Sequence, residues 1–132
     1  MQDSYAKNTN LDIALEIRDR VRKAVAGMIG AKPDPGNLAS FRVQTGQSFV
    51  FEVTGHSSGS VWGSDVYTDD SSLASSAVHA GVLREGQRGM VKVTILPGQE
   101  SYEPSTRNGI ASNPYENWEG SFRIEAVIIK VR

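Results

Sequence analysis

The spacing of the apolar residues changes once along the chain, from a helical period to a strand period, and this change constrains the fold most. Between Leu11 and Met28 the apolar residues recur every three or four positions, the spacing of one helix face. This face consists of Ile13, Ile17, Val21, Ala24 and Met28, and it is widened by Leu11, Ala14, Leu15 and Val25. Residues 31–40, AKPDPGNLAS, then interrupt the helix with two prolines and a glycine. We therefore predict an amphipathic helix and linker over residues 1–36, and a β domain over residues 37–132.

Three later segments alternate between apolar and polar residues, as half-buried strands do. They are residues 47–54, residues 90–96, ended by Pro97–Gly98, and residues 121–131. The last is apolar on both faces in its later half, so the N-terminal helix is predicted to cover it. Between the strands, Leu73, Ala77 and Ala80 share one face of a short helix made largely of small residues. The expected fold is α+β and mainly β, with antiparallel strands around one short central helix.

Composition excludes several classes of protein. The 132 residues contain no cysteine, which excludes disulfides, thiol nucleophiles and cysteine-ligated metals. With 14 basic and 15 acidic residues, the chain lacks the basic field of a nucleic-acid-binding protein. No apolar run is long enough for a transmembrane segment. The first ten residues are polar and do not resemble a signal peptide. A periplasmic or secreted location is expected if Met1 was added after removal of a leader, and a cytoplasmic one otherwise.

Two motifs in this order resemble those of the LCCL domain family. Residues 76–81, SAVHAG, are similar to the family's helix pattern A-A-x-H-x-G, and residues 102–112, YEPSTRNGIAS, to Y-x-G-S-x-x-N-G-I-x-S. The resemblance extends roughly from Phe41 to Ile124. It implies a central helix wrapped by antiparallel strands. It also implies a non-catalytic extracellular or surface module that binds polar lipids such as lipopolysaccharide, or other proteins.

The chain departs from the family pattern in two ways. Animal members carry disulfide-forming cysteines, one near Ala74, so this chain resembles a cysteine-free bacterial branch whose core is stabilised by packing alone. Pro104 replaces the usual glycine, so that turn cannot use a positive φ. The N-terminal helix lies outside the family pattern.

Aromatic residues in or beside loops are the main candidates for ligand contact. If they converge they would form a platform for sugar rings or acyl chains; alternatively, they close the ends of the β core. Arg107, beside the predicted Asn108–Gly109 turn, is suited to bind a phosphate or carboxylate, or is an ordinary exposed arginine. The candidate ligand-binding residues are Trp62, Tyr67, Tyr102, Arg107, Asn108, Tyr115 and Trp118.

His79 and three aspartates are the other candidates for chemistry. His79 lies among small residues of the short helix and is expected to be buried, hydrogen-bonded and structural. A hydrolase-like enzyme using His79 is the alternative, although G-x-S-x-G is absent. Asp65, Asp69 and Asp70 do not follow the order of a calcium loop. We expect Asp69, Asp70 or Ser71 to cap the short helix, and we expect no metal or cofactor.

Two functions follow as hypotheses. The first is a non-catalytic recognition module for a polar lipid, a glycan or a protein. The second is a structural subunit of a homo- or hetero-oligomer joined through the N-terminal helix. The predicted interface residues are Leu11, Ile13, Leu15, Ile17, Val21, Val25 and Met28.

Overall fold

A computed structural model describes residues 20–127, apart from residues 22 and 26, and the chain divides into two units, residues 1–30 and 31–132. In the first unit, the described residues between 20 and 29 are helical, and Gly30 follows with a φ of 75°. Val21 and Met28 are exposed, and Val25 is half-buried. The predicted interface residues Leu11, Ile13, Leu15 and Ile17 lie outside the described residues. No helix in the described part of the chain is long and apolar enough to cross a membrane.

The second unit is mainly β, as predicted. Its strands are β1 (Lys32–Pro33), β2 (Ser48–Thr54), β3 (Gly63–Ser64), β4 (Val66–Thr68), β5 (Arg88–Gln99), β6 (Thr106–Arg107), β7 (Ile110–Ala111) and β8 (Trp118–Ala126). Six of them form one sheet in the order β1-β2-β5-β8-β4-β3, while β6 and β7 form a separate hairpin. Neighbouring strands are antiparallel, except that β1 runs parallel to β2.

The central helix (Leu73–His79) is buried along its whole length. Its small side chains allow close packing with surrounding segments, as the sequence predicted. The N-cap is Ser72, whose Oγ accepts a hydrogen bond from the Ser75 backbone N–H at 3.2 Å. The prediction that Asp69, Asp70 or Ser71 caps this helix is therefore wrong. The carboxylate of Asp69 has other partners, described below.

The core lies between the central helix and one face of the sheet. The alternating residues of β2 and β5 supply it, as their period of two predicts. The principal fully buried side chains are Phe51, Val53, Tyr67, Leu73, Ala77, Val91, Val93, Ile95 and Phe122. With no cysteine in the chain, apolar burial of this kind must stabilise the fold without any disulfide.

Strand β5 continues through Pro97–Gly98, where the sequence predicted its end. Ile95 exchanges backbone hydrogen bonds with Gly46 and Gln47, so Pro97, two residues later, faces the same side of the strand. The pairing with β2 reaches only Thr94, so the missing N–H of Pro97 removes no ladder hydrogen bond there. A proline can therefore occupy this long strand.

Strand β8 begins at Trp118, three residues before the predicted start, and is described as far as Ala126. Residues 128–132, which include most of the predicted doubly apolar segment, lie outside the described residues. Covering of this segment by the N-terminal helix therefore stays a prediction.

Candidate functional site

A buried ion pair determines where one of the two tryptophans lies. Asp69 follows β4 and is completely buried. It accepts hydrogen bonds from Arg42 Nε at 2.7 Å and Nη2 at 2.8 Å, and from Trp118 Nε1 at 2.8 Å. Burial raises the pKa of the Asp69 carboxyl, but the hydrogen bonds from Arg42 and Trp118 outweigh this and keep that pKa below its ordinary value. Asp69 is thus a charged anchor that orients the indole of Trp118.

Three of the predicted aromatic residues meet beside this anchor. The rings of Tyr115 and Trp118 pack edge to face, with centroids 5.6 Å apart and an interplanar angle of 82°. Trp62 comes from a distant part of the sequence and is held by backbone pairing with Asn113. The three line one cleft of about 190 Å³ together with Thr68 and Asp70, and we call this the aromatic cleft. It contains both tryptophans of the chain.

Some polar groups in and beside the aromatic cleft have hydrogen-bond or ion-pair partners within the described part of the protein, and others do not. The hydroxyl of Thr68 is buried and bonded to Ser71 Oγ at 2.9 Å. The carboxylate of Asp70 is half-buried and has no hydrogen bond or ion pair within residues 20–127 as the structure describes them. The guanidinium of Arg42 lies 5.4 Å from the Trp118 ring centroid. It also pairs with Glu119.

Two of the predicted ligand contacts, Tyr67 and Tyr102, are core residues. Tyr67 is fully buried and Tyr102 is 3% exposed, so neither belongs to an aromatic surface, and their prediction as loop contacts is corrected. The Tyr102 hydroxyl accepts a hydrogen bond from Gln99 N at 3.0 Å and donates one to Trp118 O at 3.1 Å. Burial raises the pKa of both phenols. The sequence left open whether the loop aromatic residues form a surface platform or close the ends of the β core. Tyr67 and Tyr102 belong to the core.

Arg107 and Asn108 occupy the hairpin between β6 and β7 and do not line the aromatic cleft. Asn108 and Gly109 have φ values of 53° and 81°, the positive pair expected for this turn. The Asn108 side chain donates to the His79 carbonyl at 3.0 Å, which attaches the hairpin to the central helix. Arg107 pairs with the carboxylate of Asp65, Nη1 to Oδ1 at 2.6 Å. Both side chains therefore already have partners within the protein.

His79 is completely buried and has partners at both ring nitrogens. Nε2 lies 3.1 Å from the Ser105 carbonyl oxygen, which can only accept, so Nε2 carries a hydrogen. Nδ1 lies 2.9 Å from the Tyr67 hydroxyl. Ser105 Oγ, 3.2 Å from Nε2, therefore faces a donor rather than a base. This geometry does not activate Ser105 as a nucleophile, and burial denies substrate access to the imidazole.

Asp65, Asp69 and Asp70 do not form one cluster, and each has a different environment. Asp65 pairs with Arg107, Asp69 pairs with Arg42, and Asp70 lines the aromatic cleft. Within the described ranges, no group of three or more His, Asp or Glu side chains is arranged to hold a metal ion. Sequence reasoning missed the role of Arg42, since nothing in the residues near it, which follow the proline-containing segment 31–40, indicates that it would meet Asp69.

The second unit is a central helix held against a mainly antiparallel sheet, with its histidine buried. Residues 34–122, more than half of the chain, match the family model of the LCCL domain. The chain belongs to the LCCL domain family, and the resemblance predicted from the two motifs is confirmed.

Similar proteins are animal proteins that contain much more than this segment. Human Cochlin is 42% identical over 65 residues, which are 49% of this chain and 12% of Cochlin. Bovine Vitrin is 40% identical over 62 residues, 47% of this chain and 9% of Vitrin. The human protein "Cysteine-rich secretory protein LCCL domain-containing 2" is 40% identical over 52 residues, 39% of this chain and 10% of that protein. The chain thus spans about a tenth of the length of these relatives, and its bacterial origin stays a prediction.

Proposed function

We propose that this protein is a non-catalytic recognition module that binds its partner at the aromatic cleft. The single observation that carries the proposal is that Trp62, Tyr115 and Trp118 line one cleft together with Asp70. Recognition sites typically combine apolar and aromatic walls with a few polar groups. The ligand is a polar lipid, a glycan or a protein segment, and family membership supports this choice over catalysis.

The position of Trp118 also supports recognition. Its indole N–H is held by Asp69, and Asp69 is held by Arg42, so the ring is fixed before any ligand arrives. A fixed aromatic side chain loses little conformational entropy on binding, which favours affinity. Tyr115 is 44% exposed and offers the most accessible ring of the three.

The proposal is tested by titrating the full chain with lipopolysaccharide and with neutral and acidic oligosaccharides in a calorimeter. A bound probe should lose about tenfold or more in affinity with Tyr115→Ala or Trp62→Ala, since central aromatic contacts contribute about 2 kcal/mol or more. Arg107→Ala is the matched control outside the cleft, and it should leave affinity unchanged. Equal affinity of all three variants and the parent protein would contradict the proposed site.

A second function, as an assembly subunit, is supported by the exposed apolar residues of the N-terminal helix. Val21 is 49% and Met28 is 86% exposed. Apolar side chains along one helix face favour burial against a partner or a second copy. In this alternative the helix joins subunits and the LCCL domain carries the aromatic cleft.

We also propose an extracellular or cell-envelope location. The word "secretory" in the name of one human relative supports it. Fractionation of the source cells, with detection of this chain, tests this location.

A further inference from the structure

The carboxylate of Asp70 lines the aromatic cleft and is not paired with another described side chain. It is half-buried, yet it has no hydrogen-bond or ion-pair partner in the described part of the chain. A carboxylate withdrawn from water is normally paired, although water still reaches the Asp70 oxygens. Its neighbour Asp69 follows this rule with Arg42 and Trp118. Arg42 interacts with the Asp70 charge only at longer range, so a ligand can supply the cation that contacts it.

The walls of the cleft favour the same kind of ligand. Trp62, Tyr115 and Trp118 present aromatic rings, and aromatic faces attract cations through their quadrupole, tryptophan most strongly. The Trp118 ring already has one cation near it, the guanidinium of Arg42 at 5.4 Å from the centroid. Asp69 and Glu119 both pair with Arg42, so they outweigh its charge, and Asp70 adds a further negative charge. The field at the cleft is therefore negative.

The volume of the cleft and its hydrogen-bond acceptors indicate which kind of cation fits. Pockets for drug-sized ligands are about 300–1,000 Å³, whereas this cleft has about 190 Å³ and accommodates one small group. A primary ammonium would need several acceptors for its three N–H donors. The side chains that line the cleft offer the Asp70 carboxylate and the Tyr115 hydroxyl, while the Thr68 hydroxyl is already bonded to Ser71. A quaternary ammonium has no N–H donor to satisfy, and its methyl groups suit aromatic walls.

We propose that the aromatic cleft binds the quaternary ammonium group of a choline-type ligand. Asp70 balances its charge, and the rings of Trp62, Tyr115 and Trp118 contact its methyl groups. This inference rests on the proposed recognition function and names its ligand class. Soluble phosphocholine and the headgroup of phosphatidylcholine share this chemistry.

The test is a titration of the full chain with choline chloride at constant ionic strength, followed by the NMR signals of the two tryptophan indole N–H groups. The neutral isostere 3,3-dimethyl-1-butanol is titrated in parallel. Choline should shift the indole signals and saturate, and the neutral analogue should bind about tenfold more weakly, because it lacks the charge that aromatic rings and Asp70 attract.

Two variants of residues that line the cleft measure separately how charge and aromatic contact contribute to choline affinity. Asp70→Asn should lower choline affinity about tenfold and leave the affinity of the neutral analogue unchanged. Tyr115→Leu should weaken choline about fivefold, since it keeps apolar bulk but removes the ring. Glu103→Gln, an exposed carboxylate outside the cleft, is the matched control and should change nothing. Thermal unfolding of each variant verifies that it is folded.

The outcomes are distinct. If soluble phosphocholine competes with choline and the protein cosediments with phosphatidylcholine vesicles but not with phosphatidylglycerol vesicles, the ligand is a lipid headgroup. If phosphocholine competes but the protein does not cosediment, the ligand is a free molecule. Choline binding no tighter than the neutral analogue, or unaffected by Asp70→Asn, overturns the inference. An oligosaccharide or a peptide that binds the cleft where choline does not overturns it while the proposed function stands. If no probe perturbs the cleft, both fail.

Discussion

Within the central helix, two neighbouring serines differ in what their hydroxyls contact. Ser75 Oγ accepts a hydrogen bond from Gly59 N at 2.9 Å and contacts His56 Nδ1 at 3.1 Å. Ser76 Oγ is buried and has no hydrogen-bond partner among the described residues. Ser76 stands where the LCCL pattern has its first alanine, so its hydroxyl is an unpaired polar group at a position that suits a methyl group.

Replacing each serine by alanine should therefore change stability in opposite directions. Ser76→Ala should raise the free energy of unfolding by about 1 kcal/mol, because it removes an unsatisfied buried hydroxyl and favours the helix. Ser75→Ala should lower it by about 1–2 kcal/mol, because the Gly59 N–H loses its acceptor. Urea unfolding of both variants and the parent measures the two changes. A loss of stability in both would show that Ser76 has a partner, such as water.

The charge of Asp69 predicts a pH dependence. Asp69→Asn should cost about 2 kcal/mol near pH 7, because Arg42 loses its main partner in a largely buried pair. The pKa of Asp69 is lowered in the folded protein. Its contribution is therefore complete above the unfolded value of about 3.9, and it is lost as pH falls through the folded value. Urea unfolding at pH 7 and pH 3 should show the gap between variant and parent narrowing in acid.

Asp65→Asn is the matched control for this measurement. Asp65 forms an exposed pair with Arg107 and has a φ of 67°, which asparagine tolerates well. We expect little change in stability at either pH, because solvent screens such pairs. If the difference in unfolding free energy between Asp69→Asn and the parent were larger at pH 3 than at pH 7, the role given to the carboxylate would be contradicted.

At the scale of elements, strand β8 passes so close to the Asp69–Arg42 pair that only glycine fits at one position. A Cβ on Gly120 would overlap Asp69 Oδ2 and would lie 2.8 Å from Arg42 Nε. The strand also pairs with both β5 and β4, so it cannot easily move away. The ion pair and the strand register therefore depend on each other.

Gly120→Ala should lower the free energy of unfolding by about 3 kcal/mol or more, because it separates a buried charge from its partner. Gly27→Ala is the control with the same change. Gly27 is helical, and a Cβ added there would have nothing within 4 Å, so alanine should be neutral or stabilising. Thermal unfolding followed by circular dichroism compares the two. Tolerance of Gly120→Ala would mean that β8 is free to shift.

At the scale of the whole molecule, the division at residue 30 separates the assembly hypothesis from the recognition hypothesis. The test removes residues 1–30. The shortened chain begins at Ala31, not at residue 37 where the β domain was predicted to start, because Lys32–Pro33 pair with β2. If the N-terminal helix joins subunits, the full chain should form a concentration-dependent oligomer, and the truncated chain should be a folded monomer. Light scattering during size exclusion at two concentrations measures both masses.

The control for this truncation is the fold of the shortened chain. If residues 31–132 fail to fold alone, the N-terminal helix belongs to the core, and the assembly hypothesis loses its support. If the full chain is monomeric at both concentrations, the helix does not join copies of this chain, and only the hetero-oligomer form of the assembly hypothesis is left.

Features that depend on residues close together in the chain could be predicted without the structure. The change of apolar period predicted the strands of the sheet, small residues predicted a helix that others surround, and Asn108–Gly109 predicted a turn with positive φ. Each depends on backbone preferences and side-chain periodicity over a few residues. The two family motifs are local in the same sense, so they identified the LCCL domain without any knowledge of tertiary contacts.

Contacts between distant parts of the chain determine which of the candidate residues form a site. Asp69 meets Arg42 across 27 residues and Trp118 across 49, so neither contact has a local signal. Backbone pairing with Asn113 brings Trp62 to Tyr115 and Trp118, whereas Tyr67 and Tyr102 are enclosed in the core. An aromatic residue in a loop is equally suited to a surface and to a core. The strands that pair around it decide whether water or protein covers the ring.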